Sequence, residues 1–419
     1  METLAVILAT LLVALIISNL SSGEKAIDYE IAHLYSVGDE EFVRSMGTLL
    51  GPAILPGNRT TALYNGDQIF PAMLGAIRAA KKTITFETYI YWSGAIGKEF
   101  GAALSERARA GVKVHVLLDW VGSGKMDSSI LREMEEAGAE VVKYHPPRWY
   151  RLGRFNNRTH RKLLVVDGRI GFTGGVGIAD VWSGDAQDPD HWRDSHFQLE
   201  GPAVAQMQAA FADNWIETRG LVLHGVDYFP ALEPAGNQSA QVFKSSATDG
   251  SETIRLMYLL SLSCAANTVR IGNAYFVPDD LAIATLVDAQ KRGVTVEIIV
   301  PGRHSDTEVV RNASRSRWGP LLDAGVAIYE YRPTMYHTKV MVVDDLWTSV
   351  GSTNFDNRSF RLNAEANLNV LDAGFAETEI AAFERDKARS RRITLEMWRS
   401  RPWSDKVKDW VAGLARLQL

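Results

Sequence analysis

The feature that most constrains the fold of this chain is an eight-residue pattern that occurs twice. The segments HRKLLVVD (160–167) and HTKVMVVD (337–344) each carry a histidine, a lysine two positions later and an aspartate seven positions later. With nine histidines in 419 residues and ordinary lysine and aspartate usage, chance would supply only about 0.03 such matches. Each copy leads into an apolar run that is typical of a buried strand. The fold must therefore provide two equivalent places for this pattern.

The spacing of the histidine and the lysine puts both side chains on one face of a strand. Side chains alternate between faces along an extended strand, so His337 and Lys339 project to the same side, as do His160 and Lys162. The runs that follow are apolar on both faces, which is typical of strands in a sheet that is covered on both sides. An imidazole and an ammonium group aimed together from such a strand require a partner, and a negatively charged group suits both.

The similarity between the two halves extends beyond the motif. Three further pairs of segments match, each a helix end followed by a strand rich in β-branched residues: AAKKTITFETYIYW (79–92) with CAANTVRIGNAYFV (264–277), ARAGVKVHVLLDW (108–120) with AQKRGVTVEIIVPG (289–302), and MEEAGAEVVKYHP (134–146) with LLDAGVAIYEYRP (321–333). This order predicts an α/β fold of two repeats, each a mixed, largely parallel sheet flanked by helices, packed about a pseudo-twofold axis. The two His-Lys pairs then face each other across one cleft.

The repeats predict the domain boundaries. The predicted segments, in order, are a membrane anchor or signal (1–23), a linker (24–57), the first repeat domain (58–218), a connector (219–240), the second repeat domain (241–375) and basic amphipathic helices (376–419). The apolar run Leu4–Ile17 is at the short end for a membrane span, and Glu2 is the only charged side chain before it. An uncleaved anchor is favoured over a cleaved signal, which would carry positive charge there. Because Lys25 and Arg44 follow the run, the positive-inside rule puts the globular part in the cytoplasm.

Two imidazoles and two ammonium groups around one cleft suit a phosphodiester substrate. Lys162 and Lys339 would bind the non-bridging oxygens as charge develops at phosphorus. One histidine would attack phosphorus and form a phosphohistidine, while the other protonates the leaving alcohol and later deprotonates the incoming water or alcohol. This chemistry needs no metal ion or cofactor, and no convincing metal-ligand spacing occurs in the sequence. The single cysteine, Cys264, excludes an internal disulfide.

These residues resemble those of a known family. The doubled His-x-Lys-x4-Asp, followed by GSTNFDNRS (351–359), resembles the phospholipase D superfamily, and the resemblance covers nearly all of the chain after residue 50. Within the superfamily, the segments 157–175, 191–204 and 331–368 are most similar to bacterial cardiolipin synthases. The resemblance implies that Ser352 and Asn354 belong to a phosphate pocket. It also favours His160 as the nucleophile and His337 as the acid and base.

The resemblance further implies that two carboxylates belong to the substrate site. Glu365 would orient a catalytic histidine through its second ring nitrogen, and Asp194 in WRDSH would play the same part in the first half. The first half departs from the family at Gly177, where an asparagine is usual, and a backbone N–H or Thr173 would have to replace that amide.

The aspartates of the motif belong to the catalytic signature, but their spacing favours another role. Asp167 and Asp344 lie an odd number of positions from their histidines, so a regular strand points them to the opposite face. VDGR (166–169) also reads as a tight hairpin turn. Structural roles are therefore the favoured interpretation for both.

The superfamily also contains nucleases, so lipid and nucleic acid must be weighed against each other. A net charge of −5 supplies no global basic field for nucleic acid, although HPPRWYRLGRFNNR (145–158) would suit either a nucleic-acid backbone or anionic headgroups. The basic tail carries Trp410, Leu414 and Leu417 at helical spacing, which suits a helix on an anionic membrane surface or one packed on the body. With the N-terminal apolar run, the balance favours a phospholipid substrate. Phosphatidylglycerol as acceptor would yield cardiolipin, and water would yield phosphatidic acid; the sequence leaves this choice and the oligomeric state open.

Overall fold

The computed structural model describes residues 30–146, 156–246, 253–415 and 418, together with residues 3, 6, 7, 9, 10, 13 and 14. Most of the predicted anchor or signal at 1–23 and most of the basic segment 145–158 lie outside these residues, as does Leu417. Within the described part of the chain, no helix is both long enough and apolar enough to cross a membrane.

The described residues form a single sheet of sixteen strands. In chain order the strands are β1 Leu55–Tyr64, β2 Thr83–Thr88, β3 Lys113–Asp119, β4 Glu140–Tyr144, β5 Arg158–Thr159, β6 Leu163–Val166, β7 Ile170–Gly174, β8 Ser195–Glu200, β9 Gln238–Ser245, β10 Thr268–Asn273, β11 Thr295–Pro301, β12 Ala327–Tyr331, β13 Lys339–Val343, β14 Trp347–Gly351, β15 Asn363–Leu371 and β16 Ser390–Ile393.

Helices cover the sheet. In chain order the α-helices are α1 Glu40–Ser45, α2 Asn65–Ala79, α3 Ala95–Arg109, α4 Ser128–Glu136, α5 Val204–Arg219, α6 Thr253–Ser263, α7 Asp280–Lys291, α8 Glu308–Ser316, α9 Trp318–Asp323, α10 Asn357–Arg361, α11 Ala373–Ala388, α12 Leu395–Ser400 and α13 Trp403–Leu414. A π-helical turn, Met46–Leu50, follows α1, and a 3-10 turn, Asp180–Trp182, precedes β8.

The strand order displays the duplication. Along the sheet the order is β16-β12-β11-β10-β13-β14-β15-β9-β1-β8-β7-β6-β2-β3-β4. Reading outward from the central β9–β1 pair, corresponding strands of the two repeats occupy corresponding positions, and β16 is the one addition at an edge. The mixed α/β architecture of two repeats is thus as predicted, and the two halves share one continuous sheet.

The pairing within the sheet differs in part from the expected one. Parallel pairs occur only in β2–β3–β4, in β10–β11–β12 and between β5 and β15, while the other pairings among the named strands are antiparallel. The expectation of a largely parallel sheet therefore holds for the outer part of each half. The reason is local: the motif strands β6 and β13 run into tight turns and continue as hairpins with β7 and β14. A strand, β16, also lies within the segment 376–419 that was predicted to be helical.

The three largest clusters of the hydrophobic core are one in each half and one that both halves share. The shared cluster joins Val165, Phe197 and Trp215 of the first half to Val350 and Leu368 of the second, and all of these side chains are at most 1% exposed. Burying such apolar side chains contributes about 1.5–3 kcal/mol each. The two halves are consequently held together by core packing, which keeps their motif strands in a fixed relation.

Candidate active site

The two His-Lys pairs meet at one cavity of about 530 Å³ between the halves. His160, Lys162 and His337 line the cavity, and Lys339 Nζ lies 3.4 Å from His337 Nε2. The four residues are between 2% and 9% exposed. The structure therefore brings the predicted catalytic histidines and lysines together at one site.

Both lysines have the same local geometry. Lys162 Nζ donates to the backbone oxygen of His160 at 2.8 Å, and Lys339 Nζ donates to that of His337 at 2.7 Å. Each ammonium is thus held against its own histidine by the two-residue spacing of the motif. Lys162 lines the cavity, and Lys339 Nζ also lies 3.2 Å from His337 Nδ1. The remaining donors of the two ammonium groups suit the oxygens of a bound phosphate.

The carboxylates that hold the histidines come from the opposite halves. Glu365 on β15 of the second half lies with both oxygens 3.0 Å from His160 Nδ1 of the first half. Asp194, just before β8 of the first half, lies with Oδ2 2.7 Å from His337 Nδ1 of the second half. An ionised carboxylate only accepts hydrogen bonds, so each Nδ1 carries the proton and each Nε2 keeps its lone pair for the substrate.

Two short backbone pairings between the halves bring each histidine to the carboxylate of the other half. The lead-in to the first motif, β5, pairs with the start of β15, and His160 N donates to the backbone oxygen of Ala364 at 2.8 Å. In the second motif Tyr336 forms a parallel bridge with Arg193, and His337 N donates to the backbone oxygen of Arg193 at 2.8 Å. Each motif histidine is therefore docked beside the carboxylate of the other repeat.

Glu365 is fully buried and is held by a network of donors. Ser352 Oγ donates to it at 2.6 Å, Ser359 Oγ at 2.7 Å and Asn363 Nδ2 at 3.3 Å. Ser352 thus supports Glu365 behind the histidine and does not line the cavity, which corrects its assignment to the phosphate pocket. Burial raises the pKa of Glu365, but His160, Lys162 and these hydrogen bonds bring it below its usual value.

Asp194 has a different set of supports. Trp182 Nε1 donates to Oδ2 at 2.9 Å, and Ser195 N donates to Oδ1 at 2.8 Å. Burial raises the pKa of Asp194, but His337 and Lys339 bring it below its usual value. Asp194 and Glu365 both lie behind their histidines, in the orienting position that the resemblance implies, and neither lines the cavity where substrate would bind.

The protonation of the site follows from its burial. Burial lowers the pKa of His160 to about 4, although Glu365 opposes the shift. Burial also lowers the pKa of Lys162 to about 7 and that of Lys339 to about 8. The pKa of His337 is lowered by burial and by the neighbouring Lys339. Neutral histidines suit nucleophilic attack, and a bound phosphodiester would raise the pKa of each of these groups.

The two motif aspartates lie at the far ends of their strands. Asp167 Oδ1 accepts from the backbone N–H of Lys82 at 2.7 Å and of Thr83 at 2.9 Å. Asp344 Oδ1 accepts from Asn267 at 2.7 Å and from Thr268 at 2.9 Å in the same way. Both aspartates have positive φ, near +53° and +52°. Each aspartate ties its hairpin turn to the start of the neighbouring strand, β2 or β10, which agrees with the structural role that their spacing favours and not with a catalytic one.

The phosphate pocket is asymmetric at the position of the missing asparagine. Asn354 lines the cavity, and its buried Oδ1 has no hydrogen-bond partner among the described residues. A Cβ at Gly177 would lie 2.7 Å from Ile90 Cβ and 3.1 Å from the Trp182 ring, so an asparagine does not fit there. Thr173 is buried but is absent from the cavity wall, so it does not replace the amide.

Several wall residues were not predicted. Trp182 and Trp192 flank the His337 ring, with centroids 5.5 and 5.4 Å away, and Tyr89 lies 5.2 Å from the His160 ring. Tyr275 also lines the cavity and donates from its hydroxyl to Asp306. Tyr89 follows directly on β2, and Tyr275 lies two positions after β10. Both lie in the matched segments 79–92 and 264–277, so their place after these strands was a usable signal. Trp182 lies in a 3-10 turn and Trp192 in a loop, and neither position carried a repeat signal in the sequence.

Comparison with known proteins identifies the family. A family model described as "Cardiolipin synthase, PLD-like domain" matches residues 73–214 and 258–387. The chain belongs to this family. It is 36% identical over 370 residues to cardiolipin synthase 1 of Bacillus cereus, covering 85% of this chain and 72% of that protein. It is 34% identical over 359 residues to cardiolipin synthase A of Pseudomonas putida, covering 84% of this chain and 74% of that protein.

Solved structures show the same fold at low sequence identity. Phosphatidylserine synthase of Haemophilus influenzae superposes with a TM-score of 0.65 at 14% identity, covering 91% of this chain and 99% of that chain. Polyphosphate kinase of Porphyromonas gingivalis superposes with a TM-score of 0.53 at 14% identity, covering 93% of this chain and 57% of that chain. This chain thus shares its fold with both of these proteins.

Proposed function

We propose that this chain is a membrane-associated phosphatidyltransferase that converts two molecules of phosphatidylglycerol into cardiolipin and glycerol. The family relationship supports transfer of a phosphatidyl group, since the curated relatives are cardiolipin synthases. The observation that carries the mechanism is the exchange of carboxylates: Glu365 holds His160 and Asp194 holds His337, which leaves two Nε2 atoms for one substrate.

The proposed reaction has two displacements at phosphorus. In the first, His160 Nε2 attacks the phosphodiester and the bond from phosphorus to the headgroup oxygen breaks. His337, which takes up a proton on Nε2 once the bound phosphodiester has raised its pKa, donates that proton to the leaving glycerol. In the second, His337 removes the proton from a hydroxyl of a second phosphatidylglycerol, and that oxygen displaces His160 from phosphorus. Lys162 and Lys339 stabilise the negative charge that develops on the non-bridging oxygens. The proposal requires no metal ion or cofactor.

The position at the membrane is part of the proposal. An apolar run near the amino end supports anchoring through residues 1–23, and the lysine and arginine that follow it support a cytoplasmic-facing catalytic part. A phospholipid substrate also requires access to a bilayer, because its acyl chains keep it there.

The test is a product analysis of the purified chain with radiolabelled phosphatidylglycerol in vesicles. Cardiolipin and glycerol in equal amounts, absent in His160→Ala and His337→Ala, are the expected result. Phosphatidic acid as the sole lipid product would identify hydrolysis in place of transfer. Cleavage of a plasmid without any lipid product would overturn the proposal in favour of a nuclease.

A further inference from the structure

The last helix, α13, is fixed to the body through one narrow side. Ala412 packs against Val310 and Ala313 of α8, and Asp409 is only 1% exposed. Asp409 Oδ2 accepts from Arg401 Nε at 2.9 Å and from Arg315 Nη2 at 3.2 Å. A buried carboxylate with two guanidinium partners fixes the rotation of the helix about its axis.

The opposite side of α13 is apolar and exposed. Trp403 is 78% exposed, Val407 48%, Trp410 65%, Val411 54% and Leu414 62%. Their spacing along the sequence puts them on one face of a helix. A contiguous apolar face of this kind is unusual on a monomeric soluble protein and marks an interaction surface.

Two lysines determine what chemistry suits this face. Lys406 and Lys408 are exposed and flank the apolar residues. Tryptophan prefers the interface between water and acyl chains, and lysine beside it favours anionic headgroups. A helix with this composition that is held parallel to a surface fits an anionic bilayer better than it fits a second protein, whose contact face would have to be acidic as well as apolar.

The location of α13 connects this face to the active site. Val310, which packs with Ala412, lines the catalytic cavity. Arg358, on α10, also lines the cavity, and its Nε donates at 3.1 Å to the backbone oxygen of Gln418, beyond the end of α13. A bilayer in contact with α13 would therefore lie beside the cavity where the phosphodiester must bind.

We propose that the exposed face of α13 inserts into the headgroup region of an anionic bilayer and holds the catalytic cavity beside the membrane, so that lipid passes to the site without crossing water. This inference rests on the proposed phospholipid substrate. It adds a second membrane contact, close to the chemistry, to the anchor proposed at the amino end.

A fluorescent label tests the insertion directly in the full chain. Trp410→Cys is labelled with the environment-sensitive dye NBD; the native Cys264 is 2% exposed, and labelling of the unsubstituted chain provides the blank. Vesicles that contain phosphatidylglycerol should shift the emission to the blue and raise it. The matched control Val226→Cys, at a connector residue that is 73% exposed, should not change. If the protein co-floats with the vesicles but the dye at position 410 keeps water-like emission, the proposal is overturned. A blue shift produced by concentrating the protein without vesicles would also overturn it, because it would indicate that a second copy of the chain covers this face.

Activity on substrate in vesicles and on monomeric substrate tests whether the membrane contact of α13 delivers lipid to the active site. Trp403→Ser combined with Trp410→Ser should lower kcat/KM on vesicles by about tenfold or more, while activity on short-chain phosphatidylglycerol below its micelle concentration stays unchanged. Val222→Ser combined with Val226→Ser is the control and should change neither. Equal loss on both substrates, or no loss on vesicles, would contradict the proposal. If the unsubstituted chain makes no lipid product at all, the proposed function fails, while the label still decides whether α13 inserts.

Discussion

Replacing Glu365 by glutamine tests the exchange of carboxylates between the halves. Glu365 accepts from His160 Nδ1 at 3.0 Å and also from Ser352 and Ser359. Glutamine keeps one acceptor oxygen and turns an NH2 group toward these donors, so His160 loses its charged partner and its Nδ1–H tautomer is no longer favoured.

The magnitude follows from those contacts. A hydrogen bond to a charged group contributes about 1.5–3 kcal/mol, which corresponds to about 10- to 200-fold in rate. Loss of the reactive tautomer adds to this, as in a serine protease triad, where a similar carboxylate-to-amide change lowers kcat about 10⁴-fold. We therefore expect a decrease of about 10³- to 10⁴-fold in the first displacement.

The assay uses a phosphatidyl ester of p-nitrophenol, whose leaving group needs no proton. Glu365→Gln should abolish the nitrophenolate burst, because attack by His160 fails. The matched variant Asp194→Asn should keep the burst but turn over slowly, because only His337, held at 2.7 Å by Asp194, is affected. The reverse pattern, in which Glu365→Gln keeps the burst and Asp194→Asn loses it, would contradict the account. With the adduct on His160 it would refute the assignment of each carboxylate to the histidine of the other half, and with the adduct on His337 it would reverse the roles of the two histidines.

Three further outcomes are expected. Asp167→Ala should lower the free energy of unfolding, measured by chemical denaturation, by about 1–3 kcal/mol, because the Thr83 N–H loses its acceptor. The kcat at low temperature should stay unchanged, and loss of kcat in a folded variant would make Asp167 catalytic. The pH profile of kcat/KM should rise as His160 loses its proton near its pKa of about 4, and fall as the acid His337, whose pKa is lowered, and then Lys162, whose pKa is about 7, lose theirs. Lys162→Arg should move the second fall toward the pKa of about 8 of Lys339; an unchanged second fall would assign it to another group. Deletion of residues 1–23 should leave activity on detergent-dispersed lipid intact but reduce recovery with membranes in high salt, and full recovery in high salt would contradict the predicted anchor.

Much of this architecture could be predicted from the sequence because the sequence contains two copies of the same order of segments. The repeated motif predicted the two histidines and two lysines around the cavity, and the matched segments predicted the helices and strands of each half. Odd spacing correctly separated Asp167 and Asp344 from the histidines. These inferences depend on periodicity along one strand, which a sequence displays directly.

What could not be predicted depends on contacts between distant segments. The resemblance identified the two orienting carboxylates. Which histidine Glu365 orients depends on the pairing of β5 with β15, which brings His160 to Glu365 across 205 residues of the chain. The resemblance implied that Ser352 belongs to the phosphate pocket, whereas its hydroxyl donates to Glu365 behind His160. The Trp182 and Trp192 walls arise from loop conformations that have no periodic signal.

The most direct test of the account is to locate the covalent intermediate. Enzyme mixed with phosphatidylglycerol is quenched at neutral to alkaline pH, where phosphohistidine survives, and its peptides are analysed by mass spectrometry. The account predicts a phosphatidyl group on His160, more abundant in His337→Ala given the p-nitrophenyl ester and absent from His160→Ala. A phosphatidyl group on His337 would reverse the roles of the two histidines, and the absence of any adduct from an active enzyme would contradict the double displacement.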